Sequence, residues 1–305
     1  MRFLLKIVFF IIQSYLPLQT QILPITTLYC HGVCGDSSQI NEYKDLIIDG
    51  KALNFPDTQK PRGLSMNRII YSVCSKLGKS NINRSQMYMG HGQDIDTIKE
   101  QIDQDHDYIL FGLCRGGSAI VNYVAQYNPE NVLALVLDEA PASMPEILEY
   151  RDSKKRMEKP KKKKNRTVEY NHKKQEKKFR LFFPGYPKKS ITPVENIPKI
   201  KNKDLVIFLS YTKQPSPFHF PQSTWKMYLG FKNAGFKNVY LCELETYGQN
   251  AEGSNKISYL QNLHSVYKKH NLPYKSEFAV LTKTQLKELQ PKQETINEHI
   301  KSYLF

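Results

Sequence analysis

Cysteine is scarce in this chain of 305 residues, and the five present are odd in number: Cys30, Cys34, Cys74, Cys114 and Cys242. That excludes a scaffold built on disulfides. Cys30 and Cys34 have no second Cys or His at ligand spacing downstream, so no zinc pattern is present. Cys74 and Cys242 sit inside apolar patterns and read as core residues. No apolar run reaches the roughly 20 residues of a membrane span. No repeat of fixed period occurs, which excludes a solenoid or propeller. Nothing in the sequence asks for a cofactor or a metal ion.

What is present is enough for one large α/β domain, with 40% hydrophobic and 24% charged residues. The formal net charge of +15 is unevenly spread: 151–180 holds fifteen Lys or Arg against four Asp or Glu. The basic character therefore belongs to one segment. At the N-terminus, Met1, Arg2 and the apolar run around Leu4, Leu5 and Ile7 to Ile12 resemble a secretory signal or anchor, although Lys6 interrupts the run and no small-x-small cleavage site follows. Residues 1–22 are read in this way, with a secreted, periplasmic or membrane-anchored protein as the consequence. The other reading is an apolar first strand or buried helix, with a cytoplasmic protein.

Short apolar runs alternate with helix-spaced segments. Thr26 to Tyr29, Gln86 to Met89 (a weaker run), Tyr108 to Phe111, Val132 to Leu137, Leu205 to Tyr211 and Val239 to Leu244 suit strands covered on both faces. Between them Ile69, Ile70, Val73, Cys74 and Leu77 repeat at helix spacing, as do Ile120, Tyr123, Val124 and Tyr127, and Met227, Tyr228 and Phe231. This alternation predicts an α/β fold with a doubly wound, mostly parallel sheet over 23–305. The pattern breaks once, at 146–203, where the lysine-rich stretch and the prolines that follow it, Pro184, Pro187, Pro193 and Pro198, predict a surface excursion. The tail from Thr282 to Leu304 reads as helix, broken near Pro291.

The sharpest local signal is Gly112-Leu113-Cys114-Arg115-Gly116-Gly117, placed between a strand pattern and a helix pattern. A nucleophile at the tip of so sharp a turn needs neighbours without bulk two residues before and two after it. The N–H of the next residue, Arg115, then points to where an oxyanion would develop. The competing reading is a glycine-bearing strand–helix turn without chemistry. His31-Gly32 directly follows the first strand, with Val33 next in the chain.

With these motifs in this order, the sequence resembles the α/β-hydrolase superfamily, nearest in style to its small esterase and peptidase-like members. The resemblance covers most of Thr26 to Tyr274. It implies acyl transfer by a nucleophile, a His base and an acid that orients the His, with a small acyl substrate or peptide as partner. It also makes 146–203 a cap region. Three positions depart from the family. Cys114 replaces the usual serine, and a thiolate is a competent nucleophile. The acid position after Leu205 to Tyr211 reads Thr212-Lys213-Gln214, without a carboxylate. The base position after Val239 to Leu244 has Asn250 and no His, and Asn cannot accept a proton near neutral pH.

Substitutes for the lost groups are Asp138 or Glu139 at a strand end for the acid. For the base they are His264, which lies in a helical pattern, and His219 in a loop. His31 and His91 lie at the rim of the site. Cys34 and Cys114 are either close enough for a disulfide or two unrelated small side chains. The basic segment 151–180 is either a solvated loop or a surface for anionic lipid or an acidic partner; its few aromatics argue against stacking on nucleic acid. Two functions stand: an acyl hydrolase with an incomplete triad, or a non-catalytic binding protein on the same fold.

Overall fold

A computed structural model of the chain describes residues 23–33, 35–56, 88–146, 177, 179–181, 183, 185–187, 191–213, 221–245 and 253–302. The N-terminal segment 1–22, the helical pattern at Ile69 to Leu77, most of the lysine-rich stretch, Cys34, His219, Gln214 and Asn250 lie outside the described residues. No helix among the described residues is long and apolar enough to cross a membrane.

Six strands form one sheet in the order β2-β1-β3-β4-β5-β6. They are β1 Ile25–Cys30, β2 Gly50–Leu53, β3 Asp107–Leu113, β4 Val132–Asp138, β5 Val206–Thr212 and β6 Asn238–Leu244. All five pairings are parallel. A parallel sheet needs crossovers, and these bring helices onto both faces. On one face lie α1 Gln93–Gln101, α2 Arg115–Tyr127, α4 Pro221–Asn233 and Ile296 of α7 Gln293–Ser302. On the other lie a 3-10 helix Ser37–Tyr43, α5 Gly253–Lys269 and Leu286 of α6 Lys283–Glu288.

The strands obey their two-residue period. In β3, Ile109, Phe111 and Leu113 face the second layer, while Tyr108 and Leu110 face the first. Both faces are apolar, which is why these strands read as continuous runs. Five of the six strands fall on runs read from the sequence. The weak run at Gln86 to Met89 is a correction: Tyr88 and Met89 are in no strand, and the rest of the run is not described. The sixth place goes to β2, a four-residue strand Gly-Lys-Ala-Leu with Gly50 and Lys51 exposed at the sheet edge. An edge strand this short and polar carries no two-faced apolar signature.

The chain between β4 and β5 is described only in part. Phe179 is buried against Met89, Met144 and Tyr186, so the end of the lysine-rich stretch packs down rather than standing clear. The short helix α3 Pro193–Asn196 begins with a capping box between Thr192 and Glu195. It leads into Ile197 and Ile200, both in the core. The tail is helical and broken at Pro291, as its spacing requires.

Candidate functional site

The C-terminal ends of β1, β3, β4 and β5 converge on one turn. Cys114 stands between β3 and α2 with φ 48° and ψ −106°, a conformation an L residue adopts only under constraint. The constraint is glycine packing. A Cβ on Gly112 would come within 2.5 Å of the Gly117 nitrogen. One on Gly116 would sit 2.0 Å from the Cys30 carbonyl oxygen at the end of β1. The helix therefore approaches the sheet at backbone distance. The Cys114 N–H donates to the Asp138 carbonyl at 2.8 Å, tying the turn to β4. Cys114 itself is only half-buried, while its neighbours Leu113 and Arg115 are buried.

Arg115 opens α2, where the first N–H groups have no partner inside the helix. Its side chain turns the other way. Nε donates to Asp94 Oδ2 at 2.8 Å and an NH2 nitrogen to Oδ1 at 2.6 Å. Both side chains are fully buried. The guanidinium lies 4.6 Å over the Phe55 ring. Asp94 Oδ2 also accepts from the Gly90 N–H at 2.7 Å, and Asn122 Nδ2 donates to the Gly90 carbonyl at 2.8 Å. Sequence reasoning missed Asp94; its only signal was an acidic residue in the first turn of a helix just after His91-Gly92.

The His31-Gly32-Val33 turn leaves β1 beside the elbow, because Cys30 pairs with Gly112. A Cβ on Gly32 would meet the Leu113 side chain at 3.3 Å. The His31 ring is wholly engaged: Nδ1 donates to the Gly32 carbonyl at 2.8 Å and Nε2 accepts from the Phe55 N–H at 3.1 Å. It clamps the turn to the segment after β2. The Val33 side chain packs on the cluster of Met89, Met144, Phe179 and Tyr186.

At the end of β4 two acids are buried side by side. Asp138 accepts from the Tyr43 hydroxyl at 2.8 Å and from Ser210, which also contacts the Tyr259 hydroxyl at 3.1 Å. Burial raises its pKa to about 6, although the hydroxyls of Ser210 and Tyr43 pull it down in part. Glu139 has φ 52°, and its N–H donates to the Ser210 carbonyl at 2.9 Å. Burial, and then the charge of Asp138, push its pKa up to about 9, against a hydrogen bond from Thr212. Its Oε1 has no partner. Glu139 thus keeps its proton at neutral pH. The partners of the Asp138 side chain are hydroxyls from two other elements, neither of which the sequence motifs mark.

His264 is buried in α5, not at its surface. Its ring takes the Lys275 N–H on Nδ1 at 3.3 Å and contacts the Asp45 carbonyl through Nε2 at 3.2 Å. It stacks on Phe278. Both nitrogens are occupied in joining α5 to two loops. Lys213 pairs with Glu245 at 3.5 Å and more loosely with Glu243. His91 is buried and edge-on to Tyr186 at 5.3 Å, with Nε2 unpartnered.

Burial lowers the pKa of both His31 and His91 from 6.5 to about 4. Both are neutral in the fold, while the unfolded chain ionises them below 6.5. Their stabilisation is present above that value and lost as the pH falls through about 4. Denaturant titrations from neutral to acid pH will show a falling unfolding free energy, with a shallower slope in His91→Gln. Equal slopes would show that His91 is ionised in the fold.

No family model and no curated protein matches the sequence. Among solved structures the chain is similar to an esterase of Pyrococcus furiosus, at 12% identity and TM-score 0.49, over 81% of this chain and 82% of that one. It is similar to carboxyl esterase 2 of the mycorrhizal fungus Tuber melanosporum, at 14% identity and TM-score 0.45, over 83% and 79%. A third is acyl-protein thioesterase 2 of Zea mays, at 10% identity and TM-score 0.40, over 78% and 91%. The chain's own geometry is a six-stranded parallel sheet with helices on both faces and a sharp turn at Cys114 between β3 and α2.

Proposed function

We propose that this protein is an α/β-hydrolase-type acyl acceptor in which Cys114 takes an acyl group from an ester, thioester or peptide and releases it slowly. The observation that carries the reading is the positive φ of Cys114, held by glycines packed at backbone distance. The turn brings α2 onto the sheet and presents a half-buried side chain between buried neighbours. The thiolate attacks the acyl carbon, an S–C bond forms, and the carbonyl electrons move onto oxygen. The N–H groups of Arg115 and Val33 are assigned to that oxyanion. As the electrons return, the bond to the leaving group breaks and that group takes a proton from solvent. Water then hydrolyses the thioester.

Slow release follows from the sequence at the family's base position, which carries Asn250 and no His. His31 and His264 are committed to main-chain partners, and Asp138 to hydroxyls. The loss of a general base forfeits on the order of 10²–10⁴ in rate. A cysteine suffers less than a serine, because a free thiol with pKa near about 8.5 is already a few per cent thiolate at neutral pH. With a p-nitrophenyl ester the expected result is a burst of about one equivalent of nitrophenol followed by slow turnover. Cys114→Ala should lose the burst and the labelling by a thiol-reactive probe. Fast steady turnover abolished by Cys114→Ala would show a working base and refute the incomplete triad. Activity gained in Asn250→His with Gln214→Asp would support the alignment of the lost positions.

The second reading, a non-catalytic binding protein, is favoured by the engagement of Asp138 with Tyr43 and Ser210. It is the outcome if Cys114 neither bursts nor labels while the fold is intact.

A further inference from the structure

Away from the elbow, near the start of β6, α5 and α6 flank a half-open cavity of about 390 Å³. Its apolar floor includes Leu281 and Leu286, and four lysines ring it: Lys268, Lys269, Lys283 and Lys287. Among the described residues, no acidic one lines it. We propose that this cavity binds an anionic amphiphile, a single acyl or alkyl chain with a phosphate or carboxylate head.

Two of the lysines have a structural reason to be there. Lys268 and Lys269 fall in the last turn of α5, where positive charge offsets the helix dipole. Lys287, in the last turn of α6, shares that reason, and Lys283 does not. Lys283 is the first residue of α6, the end of a helix where a cation is disfavoured. Lys287 lies four residues on, on the same face, so the two ammonium groups repel along a helix of only six residues. Among the described residues, no carboxylate lies within ion-pair distance of any of the four. Lys268 makes a long contact to the Ala279 carbonyl at 3.5 Å and lies 6.0 Å over the Tyr274 ring, and Lys269 lies 5.1 Å over the Tyr240 ring. Four uncompensated cations around one concavity raise the local concentration of anions.

The floor selects the rest of the ligand. Leu286 is buried in the core and Leu281 half-buried against it, so the base of the cavity is fixed by packing. The turn beside it is held by the capping box at Thr282, which accepts from the Gln285 N–H, and by the Leu281 N–H bonded to Ser265. The volume falls in the range of small-molecule sites, roughly 300–1,000 Å³. Val280 and Tyr274, both exposed, extend apolar surface beside it.

The test is isothermal titration of the full chain with dodecyl phosphate below its micelle concentration, and with a neutral dodecyl glycoside as comparison. Saturable binding of the phosphate, weakened by salt, is expected, with little binding of the glycoside. Lys283→Glu with Lys287→Glu should weaken it by about tenfold or more, with an unchanged melting temperature and unchanged labelling of Cys114. Sedimentation with phosphatidylserine and phosphatidylcholine vesicles distinguishes a free amphiphile from a membrane headgroup as the source. Equal affinity for the glycoside, or an unchanged affinity in the folded double variant, would overturn the proposal. If that variant fails to fold, Lys283→Gln with Lys287→Gln gives the same reading with a smaller expected loss.

Discussion

Replacing Asp94 by alanine is expected to cost about 3–5 kcal/mol of folding stability, because it leaves a buried guanidinium without its partner. Arg115 and Asp94 are both fully buried, 21 residues apart in sequence, and joined by two hydrogen bonds. The same carboxylate holds the Gly90 N–H. Asp94→Asn keeps an acceptor for Gly90 but not the charge, and should fall between wild type and alanine. Asp94→Leu with Arg115→Met should be less damaging than Asp94→Ala alone, since a buried pair replaced by apolar groups leaves no orphaned charge. Denaturant unfolding measures all four. A loss below about 1 kcal/mol for Asp94→Ala would show that Arg115 finds another partner or water. The pair also anchors the start of α2, so the labelling rate of Cys114 should fall in any variant that still folds.

The second large effect is a loss of stability on the alkaline side that Glu139→Gln removes. The unfolded chain gives up this proton near 4.5, whereas the fold holds it to about 9. Above 4.5 the unfolded state therefore binds fewer protons than the fold, and stability falls as pH rises. The contribution is complete below 4.5 and gone once the pH has passed through about 9. Each unit of such a shift is worth about 1.4 kcal/mol, so the sum is several kcal/mol, shared with Asp138 beside it. Glutamine has the shape of the protonated acid and keeps a partner for Thr212, without a proton to lose. Unfolding measured from about pH 5 to about pH 9 should show the variant gaining steadily on wild type. Parallel curves would mean that Glu139 is already ionised in the fold.

Much of this molecule follows from local rules. β1, β3, β4, β5 and β6 are legible because a strand covered on both faces must be apolar throughout. The elbow is legible because the spacing of Gly112, Gly116 and Gly117 around Cys114 answers a clash between backbones, and only glycine resolves it. The break at Pro291 answers the same kind of local requirement.

What needed the tertiary structure are the relations between distant residues. β2 is a strand only because β1 offers it an edge, and its own four residues say little. Asp138 meets Tyr43 from 95 positions away. His264 meets the Asp45 carbonyl from 219 away. A histidine in a sequence is a titratable ring. Whether it serves as a base or as a clamp depends on which groups occupy its two nitrogens, and for His31 and His264 main-chain groups on loops brought in by the fold take both. The sequence by itself determined where the sharp turn that carries Cys114 stands. Burial and hydrogen bonding, which exist only once the sheet has closed over its helices, decided which of the surrounding acids and histidines remain available to it.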